Sequence, residues 1–558
     1  MPKKDWEFKV VSSLAKIYPS AGTTSDFLPD VHSAFIGEEY SFQIAFRRTS
    51  GSNPSEILFS VDEATRKFIT LSEVVNVPCD LAAFDDHDPF YDSDIPGLYP
   101  DLLKPLAENR LLIEDLSWHS IWVDFKVESP QDARSHQVHL AIRDTFDEAL
   151  FTCELEIEIL RAQLPPLDII QTHWFHCDGL ATYYDLEVFS EEHWKVIENF
   201  LLAARRLSCT AILTPMWTPP LDTEIGRYRK PTQLLEIERV GDSYTFDFSS
   251  LQRWIALAKK LGFSYLEIPH LFSQWGAAFA PAVYLGKPGI EPPIFGWHTS
   301  STSPEYRNFL DQLLPQLIDF LSKEWDLNRI IFHISDEPHG PDQLISYKAA
   351  KNVVENHLSG FMVIDALSDF DLYRNKVVNF PVIANDAIEP FLQAHIENFM
   401  VYYCVAQNKK VSNRFFSLPS YRNRVIGHQL FTFKAKGFLH WGFNFYNSKL
   451  SINSIDPFED TTASGAFPGG DTFLVYPGPN GQPRESIRFK VLTQAFNDFR
   501  AFTELANITS HAKVKSYIDT DGEGGSLKFD AFSTHPEYYF AIREKINREI
   551  MKHAPSNQ

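Results

Sequence analysis

The sequence is poor in cysteine and lacks the spacings that give cysteine a structural role. Its five cysteines are an odd number, and none forms a C-x-x-C pair with another: Cys79, Cys153, Cys177, Cys209 and Cys404. The pattern therefore indicates neither a zinc site nor a disulfide framework. We expect a reduced, cytoplasmic protein that holds no metal ion or other cofactor.

Basic charge and long apolar runs are scarce as well. The 51 Lys and Arg residues face 73 Asp and Glu residues, which gives a net charge of −22. A polyanion would be repelled by that field, so nucleic acid is not an expected partner. The first residues, "MPKKDWEFKVVSSLAKIYPS", contain no apolar run of signal-peptide length. No stretch reaches the roughly 20 apolar residues that span a bilayer, so no membrane partner is expected either. The oligomeric state is left open.

Familiar catalytic signatures are missing too. The sequence has neither a G-x-S-x-G nor a Walker motif. Metal-dependent barrel hydrolases would need His-x-His on the first strand, whereas His173 and His176 are three positions apart. What the sequence has in quantity is aromatic residues, with 46 Phe, 21 Tyr and 11 Trp. Aromatic rings pack cores, and they also form flat walls against which sugar rings lie.

The chain divides into three predicted segments. Residues 1–165 contain runs such as "SIWVDFKVES" and "HQVHLAIRDT" that alternate at period two, which is typical of a β-sandwich. In residues 166–484, eight short apolar runs alternate with amphipathic helical stretches, which predicts a (β/α)₈ barrel. A doubly wound open sheet is the rival, but the first run lacks the glycine-rich turn of that fold. Residues 485–558 predict a C-terminal helical extension.

Polar residues follow the predicted barrel strands, where such a barrel carries its active site. They are His176, Asp178, Trp217, His270, Asp336, Glu337, Asp365, Asp369, Asn385, Asp386, Tyr402, Tyr403, His440, Trp441 and Asn444. In the fourth run, "FHISDEP", strand alternation directs His333, Ser335 and Glu337 into the barrel. It leaves the direction of Asp336 undecided, because the turn toward Pro338 can rotate that side chain.

The adjacent acids Asp336 and Glu337 suggest proton chemistry. Two carboxyl groups in contact do not both ionise easily, so one pKa should rise and yield a proton donor near neutral pH. Two-carboxylate glycosidases separate their acids by about 5 Å or by about 6.5–9.5 Å across the bond, which adjacent residues fit poorly. Substrate assistance fits better: the 2-acetamido carbonyl of the sugar attacks C1, one acid orients it and the other protonates the leaving group.

Two alternatives stay open. The protein could be a glycosidase on a sugar without the acetamido group, with an acid such as Asp365 as its second carboxylate. It could also be a non-catalytic carbohydrate-binding or scaffold protein on a degenerate barrel.

Six motifs together resemble the catalytic domain of glycoside hydrolase family 123 and its close relatives, over residues 165–505. They are "WFHCDGLATYYDLEVFSEEHW", "ILTPMWTPPLDT", "FHISDEP", "YYCVAQNKKVSNRF", "GFLHWGFNFY" and "GGDTFLVYPGP". The resemblance implies a β-sandwich before a (β/α)₈ barrel, and a retaining, substrate-assisted β-N-acetylgalactosaminidase. It implies that Asp336 orients the acetamido group and that Glu337 is the general acid/base. Tyr403 would donate a hydrogen bond to the acetamido oxygen, and Trp441 would be the stacking floor of subsite −1.

Five more residues are expected to bind substrate only because they lie at the ends of predicted strands. They are His176, Trp217, His270, Asn385 and Asp386. The expected partner is an oligosaccharide or glycoconjugate with a terminal β-linked N-acetylhexosamine.

Overall fold

The computed structural model describes residues 5–519 and 526–553, and the chain forms two compact units. The first unit comprises Met1–Leu167, Lys410–Phe433 and Arg484–Gln558, and the second comprises Asp168–Lys409 and Lys434–Pro483. None of the helices among the described residues combines the length and the apolar character that crossing a bilayer requires. The predicted segment boundaries at residues 165 and 484 stay predictions.

The N-terminal part of the first unit is built from two mainly antiparallel sheets. Its strands are β1 (Trp6–Ser12), β2 (Ile17–Tyr18), β3 (Gly22–Thr23), β4 (His32–Phe35), β5 (Glu39–Arg48), β6 (Ser55–Val61), β7 (Ile69–Cys79), β8 (Gly97–Pro105), β9 (Arg110–Ile113), β10 (His119–Lys126), β11 (Ser135–Asp144) and β12 (Ala149–Leu160). One sheet has the order β1-β5-β10-β7-β8 and the other the order β4-β12-β11-β6-β9. Among the described strands of these two sheets, only β4 and β12 pair in parallel. Ile44 and Val123 of the first sheet share a buried core with Leu140 and Ile142 of the second. The predicted sandwich is confirmed.

The second unit contains the barrel. The remaining strands are β13 (Ile170–His173), β14 (Ala211–Leu213), β15 (Glu236–Val240), β16 (Ser243–Asp247), β17 (Tyr265–Glu267), β18 (Ile330–Phe332), β19 (Met362–Leu367), β20 (Phe380–Ala384), β21 (Met400–Tyr402), β22 (Gly437–His440), β23 (Tyr476–Pro477) and β24 (Pro483–Arg484). Eight of them form a parallel sheet in the order β13-β22-β21-β20-β19-β18-β17-β14. The N–H of Thr210 donates to the carbonyl of Gln171 (2.9 Å), which brings β14 beside β13 and nearly closes the barrel, as predicted.

Helices separate the barrel strands and dominate the C-terminal region. They are α1 (Cys177–Tyr183), α2 (Glu191–Arg206), α3 (Ser249–Leu261), α4 (Pro304–Glu324), α5 (Gly340–Val354), α6 (Phe370–Arg374), α7 (Glu389–Gln393), α8 (Tyr421–Thr432), α9 (Ile487–Ile508), α10 (His511–Ile518) and α11 (Pro536–His553). The Ser190 hydroxyl caps α2 by accepting from the N–H of His193 (3.2 Å). Gly262, with φ of 79°, ends α3 in the left-handed conformation. The predicted C-terminal helices are confirmed.

Alternate residues of the barrel strands fill its interior. Ile331 of β18, Ile364 and Ala366 of β19, and Met400 and Tyr402 of β21 belong to one buried cluster. This period of two decides which side chain of each strand end can reach the mouth of the barrel.

Candidate active site

A cavity of about 290 Å³ lies at the carboxyl ends of the barrel strands. Small-molecule sites measure roughly 300–1,000 Å³, so this one suits a small ligand or a single ring of a larger one. Its lining includes Trp174, Asp222, Trp275, Asp336, Glu337, Tyr402, Trp441, Lys449 and Phe467. Three of these residues, Asp336, Glu337 and Trp441, were predicted from the sequence.

The backbone directs both members of the acid pair into this cavity. Strand β18 ends at Phe332, so strict alternation does not continue to Asp336 and Glu337. Glu337 has a φ of 41°, a left-handed conformation that is uncommon for a residue with a side chain. The N–H of Trp275 donates to the carbonyl of Asp336 (2.8 Å) and fixes the main chain at that point. Both carboxyl groups line the cavity, as strand alternation predicted for Glu337 and had left undecided for Asp336.

Glu337 is held by one specific hydrogen bond. The hydroxyl of Tyr402 donates to its Oε1 at 2.5 Å. Burial raises the pKa of Glu337, the hydrogen bond from Tyr402 lowers it, Asp386 raises it further and His339 opposes that rise. The net direction is upward, as a proton donor at neutral pH requires.

Asp336 lies among other acids. Burial raises its pKa well above the usual aspartate value, and the charges of Glu337, Asp365 and Asp222 raise it further. His333 acts in the opposite direction. Because Asp336 and Glu337 both resist ionisation, the pair should hold a proton at neutral pH.

A buried charge network lies inside the barrel next to the pair. His333 Nε2 is 2.7 Å from Glu267 Oε1, and its Nδ1 is 3.5 Å from Asp365 Oδ1. Glu267 also accepts hydrogen bonds from Thr172 Oγ1 (2.6 Å) and Trp174 Nε1 (2.7 Å). Despite burial, the two carboxylates raise the pKa of His333 to about 9.

Within the described residues, His270, His333 and Asp365 come close enough to be considered as metal ligands, with candidate atoms within 4.8 Å of one another. Two of the three already have partners. Both His333 nitrogens face carboxylates, and Asp365 accepts from the backbone N–H of Ile334 (3.0 Å) and from the hydroxyl of Tyr347. We therefore assign the group as a hydrogen-bonded charge network.

Three indole rings contribute to the walls of the cavity. Trp441 is half-buried, and its Nε1 donates to Asp471 Oδ2 at 3.0 Å. Trp174 Nε1 donates a hydrogen bond to Glu267 Oε1, which fixes that indole, whereas Trp275 is 42% exposed at the rim of the cavity. Phe467 meets Trp441 edge-on, with ring centroids 5.9 Å apart. Broad apolar faces beside a few acids are a suitable surface for a sugar ring.

Four predicted binding residues lie behind the cavity wall. His176 Nε2 donates to the carbonyl of Trp441 (2.9 Å), and burial together with the charge of Arg229 lowers the pKa of His176 to about 3. Trp217 Nε1 donates to the carbonyl of His270 (3.1 Å), and the His270 ring stacks on His333 at 4.5 Å.

The fourth of these is Asn385, whose N–H donates to the carbonyl of Tyr402 (3.0 Å). These four residues thus hydrogen-bond to, or stack on, residues that line the cavity or belong to the buried group around His333. Their predicted contact with substrate stays a prediction. Asp386 is exposed and accepts from Gln407 Nε2 at 3.1 Å.

Tyr402 at the end of β21 and Tyr403 directly after it lie in two different environments. Tyr402 belongs to the interior cluster and lines the cavity. Tyr403 is fully buried, and its ring packs against Phe438 (5.0 Å) and His440 (5.4 Å). The hydrogen bond predicted between Tyr403 and an acetamido oxygen stays a prediction, while Tyr402 holds the general-acid candidate.

Sequence reasoning assigned no role to six of these lining residues: Trp174, Asp222, Trp275, Tyr402, Lys449 and Phe467. Tyr402 was noted from the sequence only as a polar residue at a strand end. Asp222, Trp275 and Lys449 lie on loops, where no periodicity applies. Burial raises the pKa of Asp222 to about 6, although one of its oxygens accepts from the N–H of Leu450 (2.9 Å).

The sequence model of the glycoside hydrolase 123 catalytic domain matches residues 174–505, which is more than half of the chain. The chain belongs to this family of glycoside hydrolases, and the predicted resemblance is confirmed. No match was found among curated protein sequences.

A solved structure matches this chain along nearly its whole length. It is a family 123 glycoside hydrolase from Clostridium perfringens, described in connection with glycolipid glycan hydrolysis, with 16% identity and a TM-score of 0.74 over 98% of each chain. A GH2 β-galacturonidase from Eisenbergiella tayi has 11% identity and a TM-score of 0.30, over 82% of this chain and 69% of that one. A Lactobacillus rhamnosus β-glucuronidase has 10% identity and a TM-score of 0.31, over 88% and 67%. The first match confirms the fold, and the other two are too distant to carry an argument.

Proposed function

We propose that this glycoside hydrolase removes terminal β-linked N-acetylhexosamine, with N-acetylgalactosamine preferred, by a retaining, substrate-assisted mechanism. The observation that carries the proposal is the pair of adjacent acids, Asp336 and Glu337, in one small cavity with aromatic walls. The substrate would be an oligosaccharide or glycoconjugate. We also propose that the protein acts in the cytoplasm, as its cysteine pattern predicts.

Glu337 would act as the general acid and then as the general base. In the first step it donates its proton to the glycosidic oxygen while the bond from C1 to that oxygen breaks. The acetamido carbonyl oxygen forms a new bond to C1 and gives an oxazolinium ion. In the second step the Glu337 carboxylate takes a proton from water as the water oxygen attacks C1, and the bond from C1 to the acetamido oxygen breaks, which regenerates the acetamido group and restores the original anomeric configuration. Tyr402 fixes the carboxyl group in place for both steps.

Asp336 would act as an anion. Its carboxylate would accept the acetamido N–H and stabilise the positive charge that develops on the forming ring. This interaction strengthens as charge develops, so it lowers the barrier more than it tightens substrate binding. An N–H donor from the bound substrate favours the ionised form of Asp336 and leaves the shared proton to Glu337.

Activity against aryl β-glycosides of N-acetylgalactosamine, N-acetylglucosamine, galactose and glucose tests the proposal. We expect hydrolysis of the two acetamido sugars, scarcely any of the 2-hydroxy sugars, and tight inhibition by a thiazoline analogue of the cyclised sugar. In the Asp336→Asn variant, kcat should fall by a larger factor than KM rises. Fast turnover of a 2-hydroxy glycoside would refute substrate assistance.

A second candidate function is favoured by Asp222, an additional acid in the same cavity. In this mechanism Asp222 would be the nucleophile toward a sugar without the acetamido group, with Glu337 as acid/base. Asp365, the second carboxylate considered from the sequence, is fully buried and bound to backbone amides. A 2-fluoro glycoside would decide the question. A glycosyl ester trapped on Asp222 would favour this mechanism, and an unlabelled protein would favour substrate assistance.

A further inference from the structure

The proton state of His333 can be read from its surroundings. Its ring is fully buried between two acids, with Nε2 2.7 Å from Glu267 and Nδ1 3.5 Å from Asp365. A neutral imidazole has a single N–H, so one of its nitrogens would present a lone pair to a carboxylate. An imidazolium presents an N–H to each carboxylate, as a hydrogen bond to Glu267 and as a longer ion-pair contact to Asp365, and so avoids that repulsion. The geometry therefore favours a cation at this position.

The same network holds the main chain that carries the acid pair. Asp365 accepts from the N–H of Ile334 (3.0 Å) and from the N–H of Ser335 (3.3 Å). These are the two residues directly before Asp336. On its far side Asp365 accepts from the hydroxyl of Tyr347. Any change in the charge or position of this network should reach Asp336 through two backbone amides.

We propose that His333 is a positioning residue whose fixed positive charge, held between Glu267 and Asp365, keeps Asp336 ionised and in place during catalysis. The inference rests on the proposed function in one respect, namely that Asp336 must work as an anion. His333 itself is buried behind the acid pair and does not line the cavity.

The charges around Asp336 show why a cation is needed. Glu337 beside it, Asp365 from β19 and Asp222 from the loop after β14 all raise the pKa of Asp336, and His333 lowers it. The pKa of His333 is about 9, so its charge persists through the neutral range.

The stacked neighbour of His333 carries no such charge. Burial and the charge of His333 lower the pKa of His270 well below the usual histidine value. Two buried imidazoles 4.5 Å apart therefore differ in charge, and they make a matched pair for mutation.

The first experiment compares His333→Gln with His270→Gln in pH profiles of kcat/KM on an aryl N-acetylhexosaminide. We expect the acidic limb of His333→Gln to move to higher pH, with a loss on the order of 10-fold on the acid side, because a nearby opposite charge shifts a carboxyl pKa by about one to three pH units. Both variants should melt at lower temperature, but the limb of His270→Gln should stay in place. If the acidic limbs of the two variants shift equally, or if both stay in place, His333 has only a packing role and the proposal is overturned.

The second experiment needs no enzymatic activity. Protein labelled with ¹⁵N-histidine, compared by NMR with the His333→Gln variant, identifies the His333 ring, and we expect two ring N–H protons at pH 7. Should that variant not fold, Glu267→Gln serves instead, and the His333 ring should then lose its second proton at lower pH. A neutral ring at pH 7 would overturn the proposal. So would one equivalent of a metal ion bound to the parent protein and absent from the His333→Gln variant, because His333 would then be a metal ligand. An imidazolium in a protein that cleaves none of the aryl glycosides would refute the proposed function but support the charge of His333.

Discussion

Asp498 in the first unit is fully buried and Asp336 in the second unit is partly buried at the cavity, and the charged groups around the two acids have opposite sign. Arg424 donates two hydrogen bonds to Asp498 (2.8 and 3.1 Å), and Arg543 donates a third (3.2 Å). The guanidinium groups outweigh the effect of burial and lower the pKa of Asp498. Asp336 has Glu337, Asp365 and Asp222 as neighbours, and its pKa is raised.

This difference in surroundings distinguishes a carboxylate that stabilises the fold from a carboxyl group that takes part in a reaction. A buried carboxylate with full guanidinium pairing has no proton to give and no free site to offer. A crowded carboxyl group resists ionisation, and the protein tolerates that cost at a site of function. The following predictions test whether the two acids really differ in this way, in order of decreasing effect.

The largest expected effect is on Glu337. The Glu337→Gln variant keeps the size of the side chain and can still meet Tyr402, but it has no proton to donate. General acid catalysis contributes roughly 10²–10⁴-fold, so kcat/KM should fall by that factor on substrates with poor leaving groups. An activated aryl group leaves without protonation, so it should show a much smaller loss. Equal losses on both substrates would contradict the acid role.

The stability of the two aspartate variants should differ in sign. Asp498→Asn leaves Arg424 without its counter-charge and Arg543 with Glu38 alone (2.6 Å), and it should lower the unfolding free energy by roughly 3–5 kcal/mol, as in other broken buried pairs. Asp336→Asn removes one charge from a repelling group, so its denaturation midpoint at neutral pH should match or exceed that of the parent protein.

The pH dependence sharpens this contrast. The lowered pKa of Asp498 contributes stability that is present above the unfolded value of about 4 and is lost as the pH falls through the folded pKa. The raised pKa of Asp336 penalises the folded state at neutral pH, and the penalty disappears in acid. The advantage of Asp336→Asn should therefore shrink as the pH is lowered. A loss of stability at neutral pH as large as that of Asp498→Asn would show that the two sites are alike.

A smaller effect is expected at Tyr402, whose hydrogen bond lowers the pKa of Glu337. Without that bond in Tyr402→Phe, the pKa of Glu337 should rise. The general acid then stays protonated to higher pH, so the basic limb of the kcat/KM profile should move upward. Tyr403→Phe is the matched control, because its ring packs against Phe438 and His440 and Tyr402 is the residue bonded to Glu337. A basic limb of Tyr402→Phe that stays in place would show that the bond has no influence on the acid.

The smallest effect is expected at Trp275, the exposed indole at the rim. If its face supports a sugar, Trp275→Ala should raise KM for an oligosaccharide about 2–10-fold, since aromatic contacts contribute about 0.5–1.5 kcal/mol. The kcat for a small aryl glycoside should hardly change. Equal effects on both substrates would indicate that Trp275 supports the backbone of Asp336 and does not bind a sugar.

Sequence periodicity was most informative where one face of an element is polar. Alternation along "HQVHLAIRDT" predicted a half-exposed strand, and β11 buries alternate residues for much of its length. It was least informative in the barrel, where strands are covered on both faces and read as continuous apolar runs. All three residues of β21 are buried, so its composition could not show that Tyr402 and not Tyr403 lies inside.

The sequence by itself determined the class of fold, the family and the presence of an acid pair after the fourth barrel strand. These depend on the spacing of apolar residues and on local motifs, which are complete within short stretches of chain. Only the tertiary structure decided where Asp336 points, because β18 ends at Phe332 and the chain then turns through the left-handed φ of Glu337. Only the tertiary structure set the charge environment of the two acids, because Asp222, Glu267 and Asp365 are distant in sequence. A pKa is determined by whatever lies nearby in space, and the fold alone selects those neighbours.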